Sequence, residues 1–219
     1  MTTTFRLADP AAADLQTYLG RAAAVLDGAV RIIADGGVLA VYVPVLHPAG
    51  LLDDSATVLG LRTVAIADRE TSFDLVVPIA SLRARLQSTT DGVVAVPSPV
   101  YSVTWAGIAP PRGGWVRSTD AAAAAQLLEI AEAGIREVAQ ALPADPGEAV
   151  VRQVRQAVWN EPLPGLEMLP AGAAFAATTL GFAQDPDEVG AVFELGPWAR
   201  LSLRRGQVLV KRRAWSLAR

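Results

Sequence analysis

The sequence predicts an α+β protein with two domains, one over residues 1–117 and one over residues 118–219. Three observations lead to this prediction. In the first half, short β-rich runs alternate with two helical segments. In the second half, helical periodicity dominates, and three short strands joined by glycine-containing turns end the chain. The chain has 219 residues, of which 52% are hydrophobic, so it holds enough apolar side chains for a sizeable core.

The first half begins with a strand over residues 5–8, followed by a helix over Pro10–Leu26. Asp9 is expected to cap this helix because it precedes a proline at the first helical position, and Gly28 to end it in a left-handed conformation. β-Rich runs and turn residues predict the elements that follow. The strands cover residues 29–33, 38–45, 57–67, 73–77, 92–96 and 101–105, the second helix covers Pro78–Gln87, and residues 115–117 are a candidate last strand.

Residues 4–117 therefore contain a helix preceded by one strand and followed by three, and this order then repeats. The repeat resembles one domain of the DNA sliding clamps, which is built from a doubled βαβββ unit with its two helices side by side under curved sheets. The resemblance implies that the helices present basic residues toward DNA. The first helix instead offers Arg21 beside Asp14, and the second offers Arg83 and Arg85. This departure argues against encirclement of DNA, since one fold can serve several functions.

The loop Pro110–Gly114 is the best candidate linker to the second half, which we expect to be mainly helical. Ser118 or Thr119 can cap a first helix, and Asp145 can cap a second one that has proline and glutamate in its first turn. A third helix is apolar on all sides and is predicted to lie in the core. The helices cover residues 118–142, 145–159 and 170–182, and a small antiparallel β-meander follows over residues 189–195, 198–204 and 207–213.

Positive charge is concentrated at the end of the chain. Residues 200–219 carry seven arginines or lysines and no acid, whereas the preceding 199 residues carry 12 arginines and 22 acids. Such a block attracts anions, so the sequence predicts non-specific nucleic-acid binding or contact with an acidic protein surface. Alternatively, these side chains form the solvated face of a hairpin and blunt an exposed edge. The candidate contacts are six cations and two tryptophans that could stack on bases: Arg200, Arg204, Arg205, Lys211, Arg212, Arg213, Trp198 and Trp215.

Signatures of catalysis are few. The absence of cysteine excludes disulfides, thiolate metal sites and cysteine nucleophiles. His47 is the one histidine, so paired-histidine metal sites are excluded, and a hydrolytic triad would have to combine His47 with groups such as Asp53 and Ser55. No nucleophile-elbow or phosphate-binding glycine motif accompanies them. We therefore predict neither a metal nor a cofactor.

Two classes of function stay open. The first is a non-enzymatic binding or assembly protein whose basic C-terminal hairpin contacts an anionic partner. The second is an enzyme or small-ligand binder with a pocket between the two halves, lined by Tyr42, His47, Trp105 and Trp115. Apolar helix stripes and β-edges also predict a homodimer. Neither a signal-like N-terminus nor an apolar run of roughly 18–20 residues is found, so we expect a cytoplasmic protein without a membrane partner.

Overall fold

The computed structural model describes residues 3–26, 28–50, 53–89, 91–100, 103–107 and 109–212. Within them, helices combine with antiparallel strand pairs, which confirms the coarse α+β class. The helices are α1 Asp9–Val25, α2 Ile79–Ser88, α3 Ala124–Ala141, α4 Glu148–Asn160 and α5 Ala171–Thr179. The strands are β1 Thr4–Arg6, β2 Ala29–Asp35, β3 Val38–Leu46, β4 Thr57–Ala65, β5 Phe73–Pro78, β6 Val93–Ala95, β7 Val116–Ala123, β8 Pro162–Leu163, β9 Leu166–Pro170, β10 Val189–Leu195, β11 Trp198–Leu203 and β12 Gly206–Lys211.

The chain forms two compact units. Unit 1 contains Met1–Pro44 and Leu61–Ala109, and unit 2 contains Val45–Gly60 and Pro110–Arg219. The end of β3 and the start of β4 therefore belong to unit 2.

Unit 1 contains the order strand, helix, strand twice. Its strands follow the order β5-β2-β3-β4, and β1 pairs with β6 in a separate sheet. The two repeats are joined by pairing between their strands. β1, which begins the first repeat, pairs with β6 of the second, with Phe5 opposite Val94. β5, which begins the second repeat, pairs with β2 of the first, with Leu75 opposite Ile32. The helices α1 and α2 pack against each other. Apolar side chains drive this arrangement, since Phe5, Ile32 and Val94 are all buried.

The predicted strand over residues 101–105 is wrong where the structure describes it. Trp105 lies in a 3-10 turn over Thr104–Gly107. The turn is held by Arg31 on β2, whose Nη1 donates to the carbonyl oxygen of Ala106 at 2.9 Å. The second repeat of unit 1 is therefore shorter than predicted: the described residues that follow β6 in this unit contain this turn and no strand.

The ends of α1 also differ from the prediction. The N-cap position is held by Ala8, and Asp9 is the first helical residue. Gly28 does not adopt the left-handed conformation expected of it. Its carbonyl oxygen instead accepts the backbone N–H of Ile79 at 3.0 Å, which ties the end of the first helix to the start of the second.

In unit 2 the strands follow the order β12-β11-β10-β7, and β8 pairs with β9 in a separate sheet. One face of these strands is mainly apolar and packs on α5 through β12. Val192, Leu201 and Val208 lie on this face and are 0 to 1% exposed. The seven residues 171–177 of α5 are all buried, which confirms that this helix lies in the core.

The three helices of unit 2 pack together around Trp159 of α4. Its indole ring stacks on Phe175 of α5 at a centroid distance of 4.4 Å. On the other side it approaches Gly134 of α3 so closely that a Cβ there would lie 2.4 Å from the ring. A glycine is therefore required at residue 134 for α4 to dock at this distance.

The structure corrects two helix starts in the second half. Ser118 and Thr119 do not cap a helix but lie in β7, which pairs with β10, and α3 begins only at Ala124. The second helix begins at Glu148 with Gly147 at its N-cap, three residues after the start predicted at Asp145. Unit 2 thus also contains two repeats, β7-α3-α4-β8 and β9-α5-β10, of which the first has two helices, and β7 pairs with β10 while β9 pairs with β8.

Candidate functional site

The predicted basic block lies on the hairpin of β11 and β12, but the hairpin divides it. Arg204 and Arg205 form the turn between the strands, whereas Lys211 ends β12 and Arg212 follows it. The 6 residues of β12 separate these two groups by about 20 Å. Arg200 lies between them on β11. The cations that are contiguous in sequence are therefore not one cluster in space.

At the turn, Arg204 is neutralised by neighbouring acids. Its guanidinium bonds the carboxylate of Asp185, and its Nε lies 3.6 Å from Oε2 of Glu188. The backbone N–H of Arg204 also donates to Oε1 of Glu188 at 2.5 Å. Arg205 is exposed and forms no ion pair with any described residue. Of the two charges at the turn, Arg205 is the one available to a partner.

At the open end of the hairpin, Arg212 is exposed and Lys211 is half-buried, and neither forms an ion pair with the described part of the chain. Trp198 lies opposite Lys211 and is only 5% exposed. Too little of its ring is accessible for a base, which corrects the prediction that Trp198 stacks on nucleic acid. Arg213 and Trp215 lie outside the described residues.

Arg200 has an environment unlike that of the other cations. Its guanidinium carbon lies 4.3 Å from the ring centroid of Phe193 and 4.8 Å from that of Trp115. Its Nε is buried without a hydrogen-bond partner. Burial lowers the pKa of the Arg200 guanidinium from its usual value. The side chain is thus a partly desolvated cation between two aromatic rings, and not the fully solvated charge that a surface hairpin would present.

Strand register places two further cations beside Arg200. Arg117 on β7 lies opposite Phe193, which lies opposite Arg200, and Lys211 lies opposite Trp198, two residues from Arg200. Directly opposed residues, and residues two apart on one strand, point to the same face of a sheet. We call this the outer face, since the other face packs on α5. Its strand residues, none of them acidic, are Arg117, Ala121, Ala123, Val189, Ala191, Phe193, Leu195, Trp198, Arg200, Ser202, Gln207, Leu209 and Lys211.

The residues predicted to line a pocket have separate environments. In unit 1, Tyr42 is 8% exposed on β3, and Trp105 lies in the 3-10 turn. In unit 2, Nδ1 of His47 lies 3.2 Å from the carbonyl oxygen of Pro48. Trp115 donates its Nε1 hydrogen to a backbone oxygen and contacts Arg200. The pocket itself stays a prediction.

The groups that could have accompanied His47 in a triad are engaged elsewhere. Oδ2 of Asp53 accepts hydrogen bonds from the backbone of Ala49 at 2.6 Å and from the side chain of Gln156 at 2.5 Å. Ser55 is 3% exposed, and its hydroxyl accepts from the side chain of Asn160 at 3.0 Å. These bonds attach the loop before β4 to helix α4. The geometry gives Asp53 and Ser55 a structural role.

The pKa of the Asp53 carboxyl reflects this network. Burial would raise the pKa, but hydrogen bonds from Ser55, Ala49 and Gln156 outweigh it and lower the pKa below its usual value.

Two kinds of feature are absent from the described residues. No cluster of three or more His, Asp or Glu side chains is arranged to hold a metal ion. No helix there is both long and apolar enough to span a membrane.

Comparison with known proteins gives matches to families and to folds. Residues 1–107 match a domain of unknown function (DUF8010), and residues 110–215 match a second domain of unknown function (DUF8185). No curated protein matches the chain.

Two solved structures are similar over 99% of this chain. The DNA polymerase sliding clamp from Caulobacter crescentus is 11% identical with a TM-score of 0.52, and 67% of its chain is covered. The DNA polymerase III subunit beta from Pseudomonas aeruginosa is 13% identical with a TM-score of 0.51, and 66% of its chain is covered. This chain thus spans about two thirds of the length of each. At these identities the likeness is one of fold, and in its fold this chain resembles the DNA sliding clamps.

Proposed function

We propose that this protein is a non-enzymatic binding or assembly protein that contacts nucleic acid through the cations of its β11–β12 hairpin. The observation that supports this proposal is the exposure of Arg205 and Arg212, which no acid among the described residues neutralises. Lys211, half-buried beside Arg212, adds a third positive charge. Cations of this kind bind the phosphate backbone without sequence preference.

The helices offer little to an anion. On α1, Asp14 forms an ion pair with Arg62 at 2.5 Å. On α3, three glutamates accompany a single arginine, Arg136, and α5 carries no charged residue. α2 contributes Arg83 and Arg85, of which Arg85 is exposed. α4 contributes Arg152 and Arg155 against Glu148, and Arg152 is exposed. The fold is similar to that of the DNA sliding clamps, which supports DNA as the partner. This charge pattern favours contact through the hairpin and disfavours passage of DNA along the helices.

A salt series with matched variants tests this proposal. Fluorescence anisotropy would measure binding to labelled single- and double-stranded DNA and RNA between about 50 and about 200 mM salt. The hairpin variant Arg205→Gln/Lys211→Gln/Arg212→Gln removes three charges, and the control Arg21→Gln/Arg136→Gln/Arg152→Gln removes three charges from helices. We expect the hairpin variant to bind more weakly and to lower the salt slope for single strands by about 2. The control should bind as the wild type does.

Two results would contradict the proposal. One is the absence of binding to any nucleic acid at low salt, and the other is an equal loss in the hairpin and helix variants. An acidic peptide that binds the wild type under conditions where nucleic acid does not would assign the hairpin to an acidic protein surface.

Several finer predictions accompany this proposal. We propose a division of the chain into two domains joined at the predicted linker Pro110–Gly114, which limited proteolysis would locate, and a homodimer, which light scattering would detect. A cytoplasmic location would be tested by cell fractionation. The clamp-like doubled βαβββ unit is proposed for residues 1–117 in a form whose second repeat is shortened after β6.

A further inference from the structure

We propose that the outer face around Arg200 binds single-stranded nucleic acid, with a base against Trp115 and phosphates at Arg117 and Arg200. This inference rests on the proposed function and adds to it the class of nucleic acid and a second contact surface. The hairpin cations would then lie at the border of a larger site.

The first support is the spacing of the charges. Arg117 and Arg200 are separated by two strand spacings across Phe193, which is about 10 Å between their backbones. Lys211 lies one strand and two residues from Arg200, about 8 Å away. The three cations therefore form a row that crosses the strands, and none of the strand residues on this face is acidic. Trp198 and Leu209, which lie beside Arg200 and Lys211 on this face, are 5% and 2% exposed. The accessible part of the row is therefore the pair Arg117 and Arg200, which a flexible phosphate backbone can bridge.

The second support is the state of Arg200. The rings of Phe193 and Trp115 fix its guanidinium in one orientation and displace water from it. Its Nε is buried without a hydrogen-bond partner, so the guanidinium is partly removed from water. A charge-assisted bond to phosphate is also stronger where water is excluded. Arg200 thus has the properties of a preorganised anion contact.

The third support is the presence of aromatic rings between the cations. Trp115 and Phe193 are both half-buried, so part of each ring remains accessible. Bases of a single strand expose their faces and stack on such rings, whereas a duplex hides them and offers only its phosphates. An acidic protein surface would contact the cations but would offer no base to stack on the aromatic rings. The combination therefore favours a single strand over a duplex and over an acidic protein.

The test compares a labelled 15-nucleotide oligo-dT with a 15-base-pair duplex by fluorescence anisotropy. Three variants probe the outer face: Trp115→Ala, Arg117→Gln and Arg200→Gln. Arg136→Gln on α3 is the matched control, since it removes one exposed charge from a helix and not from a strand of the outer face. Circular dichroism and thermal unfolding verify that each variant is folded. Arg117 is exposed on β7, so its variant is the one expected to fold without change.

We expect the wild type to bind oligo-dT more tightly than the duplex. Trp115→Ala should weaken oligo-dT binding about tenfold and duplex binding less than about twofold, because only the single strand loses a stacked base. Arg117→Gln should lower the salt slope for oligo-dT by about 0.7, the value for one phosphate contact. Arg136→Gln should leave both affinities unchanged.

Different experimental results would contradict the inference and the proposed function. If the outer-face variants bind oligo-dT like the wild type while the hairpin variant loses binding, the inference is wrong and the proposed function stands. A wild type that binds the duplex as tightly as oligo-dT also overturns the inference. If the wild type binds no nucleic acid but binds a ten-residue glutamate peptide, both are wrong.

Discussion

Arg200 differs from the other cations of the hairpin because its guanidinium group contacts aromatic rings. Its guanidinium lies over the rings of Phe193 and Trp115, and a cation over an aromatic ring gains roughly 0.5 to 2 kcal/mol, more as water is removed. Arg204, in contrast, faces two carboxylates, and Arg205 faces solvent. Three neighbouring arginines thus have three different roles. Sequence reasoning treated them alike because only the strand register reveals their neighbours.

Gly134 provides a stability prediction at this scale. Alanine normally stabilises a helix interior relative to glycine by about 0.5 to 1 kcal/mol. At residue 134 its Cβ would lie 2.4 Å from the ring of Trp159, which is held by Phe175 and cannot retreat freely. We expect Gly134→Ala to destabilise the protein by about 1 to 3 kcal/mol in urea unfolding. Gly20→Ala on α1 is the control, because nothing lies within 4 Å of its Cβ, and it should stabilise.

A pH dependence follows from Asp53. Hydrogen bonding lowers its pKa in the folded state, so its stabilising effect is present above the unfolded pKa of about 4 and is lost as the pH falls through the lower folded value. We expect Asp53→Asn to be less stable than the wild type at pH 7, and the difference to shrink below about pH 4. Urea unfolding at several pH values measures this. Asp54→Asn, an exposed neighbour with the same charge change, serves as the control, and a loss equal to that of Asp53→Asn would contradict the prediction.

At the scale of elements, the hairpin and the strand β7 show what local patterns can and cannot predict. The meander of β10, β11 and β12 was predictable, since alternating runs and glycine turns specify it locally. Strand β7 was not: Ser118, Thr119 and an alanine run are typical of a helix start, and only pairing with β10 makes them a strand. The outer face was missed for the same reason, because Arg117 and Trp115 reach Phe193 and Arg200 only once β7 is placed beside β10.

The ion pairs at the hairpin turn give a prediction for this element. Arg204 is paired with Asp185 and Glu188, and its side chain is 70% exposed, so its removal should change stability by less than about 1 kcal/mol. Because its charge is already neutralised, we expect Arg204→Gln to weaken nucleic-acid binding less than Arg205→Gln does. Anisotropy at one low salt concentration compares the two variants. Equal losses would mean that the acids release Arg204 when the partner binds.

At the scale of the whole molecule, fold and charge indicate different surfaces. The chain resembles sliding clamps in fold over 99% of its length, and the repeat of strand, helix and strand occurs in both units. The resemblance was predictable for residues 4–117 from element order. It was not predictable for unit 2, where the repeat depends on β7 and on the two-residue strand β8. Cations lie on the hairpin and the outer face and also on α2 and α4, while α3 is acidic and α5 is uncharged.

The location of the interface tests the central claim most directly. Two-dimensional amide NMR spectra of the protein, recorded as oligo-dT is added at low salt, would map the residues that the nucleic acid affects. We predict shifts in residues 198–212 and 115–117, and none along α1 and α3. Shifts confined to the helices, or no shifts at all, would contradict nucleic-acid binding through the hairpin and the outer face.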